Sequence, residues 1–291
     1  MNAGEKQISN PYEDLFIYYL QGCLTSENSI ANDTFIGNWE EDGSSFLFFS
    51  CPSNSLVATL LQNQPQLKLL DQFHMSYDEW HGQPVSPIRI GRLYIVPPWL
   101  TQTRPTSDPD KKTSETDGAS IEILLDPGVV FGTGTHATTR HCIEAIQMLL
   151  EMESIDTVLD IGSGTGLLAI AAVKLGCKKA LALDLNRLAA KTAAANIRHN
   201  DLKQQIVVVQ GSAENFVDLP SDLVISNIHY DVMKRLLQRG NPLPTKYVIL
   251  SGLLRSQATQ VEKILHQASI QIMKKWDSRG IWHSYIGRVL R

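Results

Sequence analysis

The sequence is short of several things, and each shortage narrows the field. Cysteine occurs four times in 291 residues, at Cys23, Cys51, Cys142 and Cys177, and never as a CxxC pair. Such wide spacing fits free thiols in a reducing compartment rather than a disulfide framework or a metal site. No apolar run approaches the ~18 to 20 residues needed to cross a bilayer. The polar start, Met1 to Asn10, lacks the basic-then-apolar order of a secretory signal. A soluble, cytoplasmic protein is expected. Positive charge is also scarce: 26 Lys and Arg against 30 Asp and Glu leave a net charge of −4. That excludes a surface basic all over, so direct nucleic-acid binding is not expected. No internal repeat is evident.

What is present is ample core material, with 43% hydrophobic and 19% charged residues. One stretch, Thr101 to Ala119, has two prolines, no aromatic residue and almost nothing apolar. It reads as a linker. It splits the chain into residues 1–100, the linker 101–119, and residues 120–291. In the first part, Tyr12 to Leu24 has apolar residues at helical spacing and predicts a helix. Ser45 to Cys51 predicts a strand and Ser55 to Leu61 a helix. Ile88 to Val96 alternates around Gly91, which predicts a bulged strand or a tight hairpin. This mixture suggests a small α+β domain.

The second part alternates regularly. Strands are predicted at Thr157 to Ile161, Lys179 to Leu183, Ile206 to Gln210, Ser221 to Ser226 and Tyr247 to Ser251, with helical patterns between them. That rhythm means an α/β fold, a parallel sheet with helices on both faces. Ligands of such sheets sit at the carboxyl ends of the strands.

The first of these strands ends in Asp160-Ile161-Gly162-Ser163-Gly164-Thr165-Gly166. Glycine permits a tight turn and close approach to a ligand. The spacing is GxGxG rather than the dinucleotide GxGxxG, and position 167 is Leu. Asp184 ends the second strand. A carboxylate there can accept ribose hydroxyls, of NAD as readily as of another nucleoside, or can cap the next helix. Asp160 discriminates between ligands. Its charge would repel a pyrophosphate but favours the ammonium and sulfonium of S-adenosylmethionine. With Asp160 two residues before the first Gly, the segment resembles motif I of class I methyltransferases.

Upstream lies a loop of three glycines and four threonines around Phe131 and His136: Asp126-Pro127-Gly128-Val129-Val130-Phe131-Gly132-Thr133-Gly134-Thr135-His136-Ala137-Thr138-Thr139. A helix is predicted from about Thr138 to Glu151. A loop entering a helix in this way offers free N–H donors to an anion such as a methionine carboxylate, or caps itself through its threonines. At the fourth strand, Asn227 can accept a hydrogen bond from an amine nucleophile, or can cap the following helix. The run Asn227-Ile228-His229-Tyr230 loosely resembles the N-P-P-Y motif of amino-group methyltransferases. That would set Tyr230 against the nucleophile, the alternative being ordinary packing. His136 and His229 are candidate bases by location only.

DPGVVFGTGTHATT, then VLDIGSGTGLLAIAAVKLG, then SNI and LSGLL together resemble the PrmA family over about residues 120–265. An echo lies at Asp78-Glu79-Trp80 and Pro87 to Trp99. Members of that family methylate ribosomal protein L11. The resemblance implies a ferredoxin-like substrate-recognition domain followed by a Rossmann-like catalytic domain with a doubly wound, mostly parallel seven-stranded sheet. It implies S-adenosylmethionine as cofactor, amino groups of L11 as acceptors and a monomer. Thr139, Gly162, Asp184 and Asn227 fall on the family's cofactor-contact positions. Phe131, Thr133 and His136, with Gly134 among them, fall in the loop that closes over the cofactor; Gly164 and Asp160 complete the expected pocket. Catalysis is expected of Asn227 and Tyr230, with no metal. The chain departs from the family in Ser163 for Cys, in Asn227 to Tyr230, in a longer linker, and in Gly280-Ile281 where an acidic pair usually precedes Trp282. Little of the first 75 residues matches. Other readings are a class I methyltransferase for a different protein or small amine, an NAD-dependent oxidoreductase, and a non-catalytic cofactor-binding module.

Overall fold

The computed structural model describes residues 10–25, 30, 32–103, 120–239 and 242–290. The chain forms two compact units, one running to Ser86 and joined by Asn186–Leu188, the other made of Pro87–Leu185 and Ala189 onward.

In the first unit, β1 (Asp14–Gln21), β2 (Phe35–Glu41), β3 (Ser44–Phe49) and β4 (Lys68–Ser76) form a sheet of order β2-β3-β1-β4. Each neighbouring pair is antiparallel. Helix α1 (Asn54–Asn63) links β3 to β4 and buries Val57 and Leu60 with Tyr18, Leu20, Leu47 and Phe49. The short α2 (Tyr77–His81) starts at a capping box between Ser76 and Glu79. The helix expected over Tyr12 to Leu24 is instead strand β1. Its apolar run is continuous because β1 is a central strand, paired on both edges and buried at Leu15, Ile17, Tyr18 and Leu20. Periodicity cannot separate such a run from a buried helix, and its aromatic content favours a strand. A ferredoxin-like unit would carry a helix in each of its two crossovers. Here α1 supplies the second, and the described residues between β1 and β2 hold no helix.

The second unit begins earlier than the linker composition suggested. Ile88 to Val96 is a hairpin of β5 (Ile88–Ile90) and β6 (Leu93–Val96), turning at Gly91 with φ 55°. Strand β6 pairs in parallel with β7 (Ile121–Leu124), so the boundary falls after Ser86 rather than at residue 100. Of the expected linker, Thr101 to Thr103 complete a 3-10 turn from Pro98. The rest, 104–119, lies outside the described residues.

From there the chain runs α3 (Ala137–Met152), β8 (Thr157–Ile161), α4 (Leu167–Leu175), β9 (Lys179–Asp184), α5 (Arg187–His199), β10 (Ile206–Gln210), β11 (Leu223–Asn227), α6 (Tyr230–Leu237), β12 (Tyr247–Leu254), α7 (Arg255–Gln267), β13 (Ile270–Ser278) and β14 (Trp282–Val289). The sheet order is β10-β9-β8-β11-β12-β14-β13. All pairs from β10 to β12 are parallel, while β14 runs antiparallel between β12 and β13. This is the doubly wound, mostly parallel seven-stranded sheet that the resemblance implied. Strand β8 is buried from Val158 to Ile161, as a central parallel strand must be. Helices α3, α4 and α5 cover one face, through residues such as Ile143, Ile146, Ile170 and Ile197. Helices α6 and α7 cover the other, through Met233, Leu236, Val261 and Leu265. No helix among the described residues is long and apolar enough to cross a membrane.

Candidate functional site

The strand order reverses between β8 and β11, which opens a crevice at the carboxyl edge of the sheet. Register sets what lines it. Ile161 stands opposite Leu183 of β9 and Ser226 of β11, and Asn227 stands opposite Ser251 of β12. Gly162, Asp184 and Asn227 therefore leave the sheet at one level.

The glycine turn is held from two sides. Gly162 and Ser163 donate their N–H groups to the Leu183 carbonyl, at 2.8 and 3.0 Å. Gly164 donates to Asp184 Oδ2 at 2.9 Å. One carboxylate oxygen of Asp184 is thus fixed to the turn, which orients the whole group. At the start of α5, Asn186 Oδ1 accepts from the Leu188 N–H at 2.9 Å. Two glycines are obligatory. Gly162 has φ +73°, and a Cβ there would fall 2.1 Å from Ile228 Cγ2; Gly164 has φ +53°, and its Cβ would fall 2.3 Å from the Phe131 carbonyl oxygen.

Asp160 is wholly buried beneath this turn. Its Oδ2 accepts the Ala169 N–H at 3.1 Å, while its Oδ1 has no partner. Burial raises its pKa to about 7, offset in part by the Ala169 N–H and reinforced by the Asp184 charge. Ser163 Oγ, Thr139 Oγ1 and Ser226 Oγ are likewise buried without partners. These four orphaned atoms come from the first turn of α3, from β8 and its glycine turn, and from the end of β11. A natural protein leaves few such atoms; closed to solvent as they are, they call for an ordered water or a polar group just above the turn.

The Phe131 to His136 loop is strapped onto the glycine turn. Thr165 donates its N–H to the Phe131 carbonyl at 3.1 Å and its hydroxyl to the Gly132 carbonyl at 2.7 Å. Gly134 is buried, whereas Phe131 is 53% exposed. Thr133 pairs its hydroxyl with that of Thr135 at 2.8 Å, within the loop. His136 caps α3, its Nδ1 accepting from the Thr138 N–H. Its ring stands edge-on to both Phe131, at 5.5 Å, and Trp282, at 5.0 Å. Burial lowers its pKa, so the ring is neutral near pH 7.

Asn227 is half-buried at the mouth of the crevice, with its Oδ1 3.1 Å from where a Cβ on Gly252 would stand. It is not a helix cap, since α6 begins after His229. Tyr230 does not join the group. It is 8% exposed, packs among core residues of α6 and α7, and donates its hydroxyl to Gln260 at 2.5 Å. His229 points to solvent, with a side chain 75% exposed.

Two positioning residues escape a reading of the sequence. Asn196 on α5 and Asn200, the residue just past its end, are buried and grip the strand that leads into the Phe131 loop. Asn196 exchanges hydrogen bonds with the Asp126 N–H and carbonyl, at 2.8 and 2.9 Å, and also donates to the Thr165 carbonyl at 2.9 Å. Asn200 does the same for Leu124, at 3.1 and 2.7 Å. The signal that could find them is a pair of asparagines at i and i+4 at the buried end of an Ala-rich helix.

Comparison with known proteins agrees with this geometry. A family model described as "Ribosomal protein L11 methyltransferase (PrmA)" matches residues 58–289. A ribosomal protein L11 methyltransferase of Exiguobacterium sibiricum is 37% identical over 191 residues, 65% of this chain and 56% of that protein. One of Pelotomaculum thermopropionicum is 33% identical over 205 residues, 70% and 62% respectively. The chain thus spans less than two thirds of these curated relatives. The crystal structure of ribosomal protein L11 methylase from Lactobacillus delbrueckii subsp. bulgaricus aligns with a TM-score of 0.57 at 29% identity, over 71% of this chain and 100% of that one.

Proposed function

Because the chain belongs to the ribosomal protein L11 methyltransferase (PrmA) family, we propose that it transfers methyl groups from S-adenosylmethionine to amino groups of ribosomal protein L11. The observation that carries this reading is the cluster of buried, unpartnered polar atoms around the glycine turn, with Asp160 at its centre. A carboxylate in that place suits a ligand bearing an ammonium group and disfavours one bearing a pyrophosphate.

The residues present fit S-adenosylmethionine. Asp160, closed to solvent beneath the turn, would meet its ammonium through an ordered water. Thr139 and the first N–H groups of α3 would take its carboxylate. Asp184, already aimed by Gly164, would accept the ribose hydroxyls. The Phe131 loop would exclude water. The cofactor, when bound, supplies a methyl group on a sulfonium leaving group that needs no further activation. The chain therefore has mainly to position the acceptor. Asn227 does this by accepting an N–H of the amine through its carbonyl oxygen, which turns the lone pair toward the methyl group. The amine must first lose a proton. His136 is poorly placed to take it, since Nδ1 serves the cap and the neutral ring then carries its proton on Nε2. Bulk water is the acceptor. The first unit would select the substrate, and the protein would act as a cytoplasmic monomer that does not bind nucleic acid itself.

A methyltransferase for another protein or a small amine draws on one observation. The family match begins at residue 58, which leaves most of the first unit outside it. Calorimetric titration of the full chain with S-adenosylhomocysteine and with NAD tests the cofactor. Tighter binding of NAD would overturn the reading. Labelled methyl transfer into a ribosomal protein extract tests the substrate, and a labelled band other than L11 would favour the alternative.

A further inference from the structure

Beside the crevice, the carboxyl end of β12 opens onto a groove of about 600 Å³ lined by Leu254, Arg255, Ser256, Thr259, Gly280 and Ile281. It is joined to the proposed site by an unbroken row of side chains. Phe131 touches His136, His136 touches Trp282, and Trp282 stands opposite Leu254 in the β12–β14 ladder. Leu254 and Ile281, 41% and 52% exposed, line the groove together. Arg255 opens α7, is exposed, and has no ion-pair partner among the described residues. A second exposed arginine, Arg279, adjoins Gly280. The acid of that hairpin tip, Asp277, accepts the Gly280 N–H at 2.6 Å. The groove is thus apolar in its walls and carries an excess of positive charge.

We propose that this groove holds the segment of the protein substrate that flanks the acceptor lysine, and that it selects an apolar side chain together with a carboxylate. The inference rests on the methyltransferase reading above. Spacing sets the position of the carboxylate. Ser251 is level with Asn227, and Arg255 lies four residues further along the chain. The strand is irregular between Leu250 and Leu253, with Gly252 at φ 81°, so at about 3.3 Å per residue an extended substrate covers that distance in four residues at most. An acid within about four residues of the acceptor lysine, three or four being the longest offsets, therefore reaches Arg255. A lysine at that place would be repelled.

The test is fluorescence anisotropy of labelled peptides of about eleven residues on the full chain, with S-adenosylhomocysteine present. Each peptide carries a central lysine, a leucine, and either glutamate or lysine three or four residues away. The wild-type chain is expected to bind the glutamate peptide about fivefold more tightly, the scale of one exposed charge pair. Arg255→Glu should reverse that order. The variant should fold normally, since an acid in the first turn of a helix is favourable. Ile281→Ser should weaken both peptides alike. Equal binding of the two peptides, no binding of either, or an order unchanged by Arg255→Glu overturns the proposal. Methyl transfer from labelled cofactor is read in the same samples. Charge-selective binding without any transfer would count against the methyltransferase reading and leave the groove assignment standing.

Discussion

Replacing Asp160 by asparagine perturbs the site in two opposite directions, and the structure fixes both signs. Burial raises the Asp160 pKa from 3.8 to about 7. A raised acid contributes stability in its neutral form, present in full below about pH 4 and lost as pH rises through 7. Above pH 7 the folded protein holds a buried charge that costs up to about 4 kcal/mol at 1.36 kcal/mol per pKa unit. The amide of the substituted side chain carries no charge and can still accept the Ala169 N–H. Without ligand, Asp160→Asn should therefore gain about 2 to 4 kcal/mol over wild type at pH 8.5, and several degrees in melting temperature. Its hold on S-adenosylhomocysteine should fall by about ten- to a hundredfold, the scale of one charged hydrogen bond. Wild-type affinity should also drop as pH goes from 8 to 6, because the ligand's ammonium must displace a proton, while the variant's affinity stays flat. Thermal melts from pH 5 to 9 and calorimetric titrations at the same values read all of this. A variant that melts below wild type at pH 8.5, or wild-type binding indifferent to pH, would refute the role given to Asp160.

Other substitutions separate the site from its scaffold. Asn227→Ala should cut methyl transfer by about ten- to a hundredfold with the fold intact, as turnover and melting curves would show. Tyr230→Phe should leave turnover within about twofold and cost about 1 kcal/mol of stability, because the hydroxyl serves Gln260; a large loss of turnover would return Tyr230 to the site. Asn196→Ala should cost about 3 kcal/mol in denaturant unfolding, since it strands the Asp126 and Thr165 backbone groups. Asp222 accepts the Asp156 and Thr157 N–H groups, both at 3.0 Å, and pairs with Lys246 at 2.7 Å. Burial opposes its ionisation, but these partners outweigh it and lower its pKa to about 2. That stability is present above pH 4 and lost as pH falls through 2, so wild type should lose about 2 kcal/mol in acid that Asp222→Asn does not.

The second unit is the more legible part of the sequence. Strands β8 to β12 are short apolar runs bounded by turns, and each lies within a few residues of its predicted position. Gly162, Gly164, Asp184 and Asn227 are readable because a motif at a strand's end stays at the sheet's edge once the strands are aligned. The hairpin of β13 and β14 is not legible in this way. Its strands carry polar residues such as Lys274 and Lys275 at the sheet edge, where alternation is blurred. In the first unit, β1 reads as a helix because its apolar run hides the period of two that marks a strand. Tyr230 departs from expectation for a related reason. Its spacing from Asn227 matches a motif, but the start of α6 turns its side chain toward Gln260 of α7, and spacing alone does not carry that direction.

Methyl transfer to an amine of ribosomal protein L11 can be read by intact-mass spectrometry of purified L11 incubated with the full chain and S-adenosylmethionine. L11 should gain mass in steps of one methyl group, with the added methyls on lysine or N-terminal amines after proteolysis, and should gain it about ten- to a hundredfold more slowly with Asn227→Ala. L11 of unchanged mass, under conditions where the chain demonstrably binds S-adenosylmethionine, would contradict it.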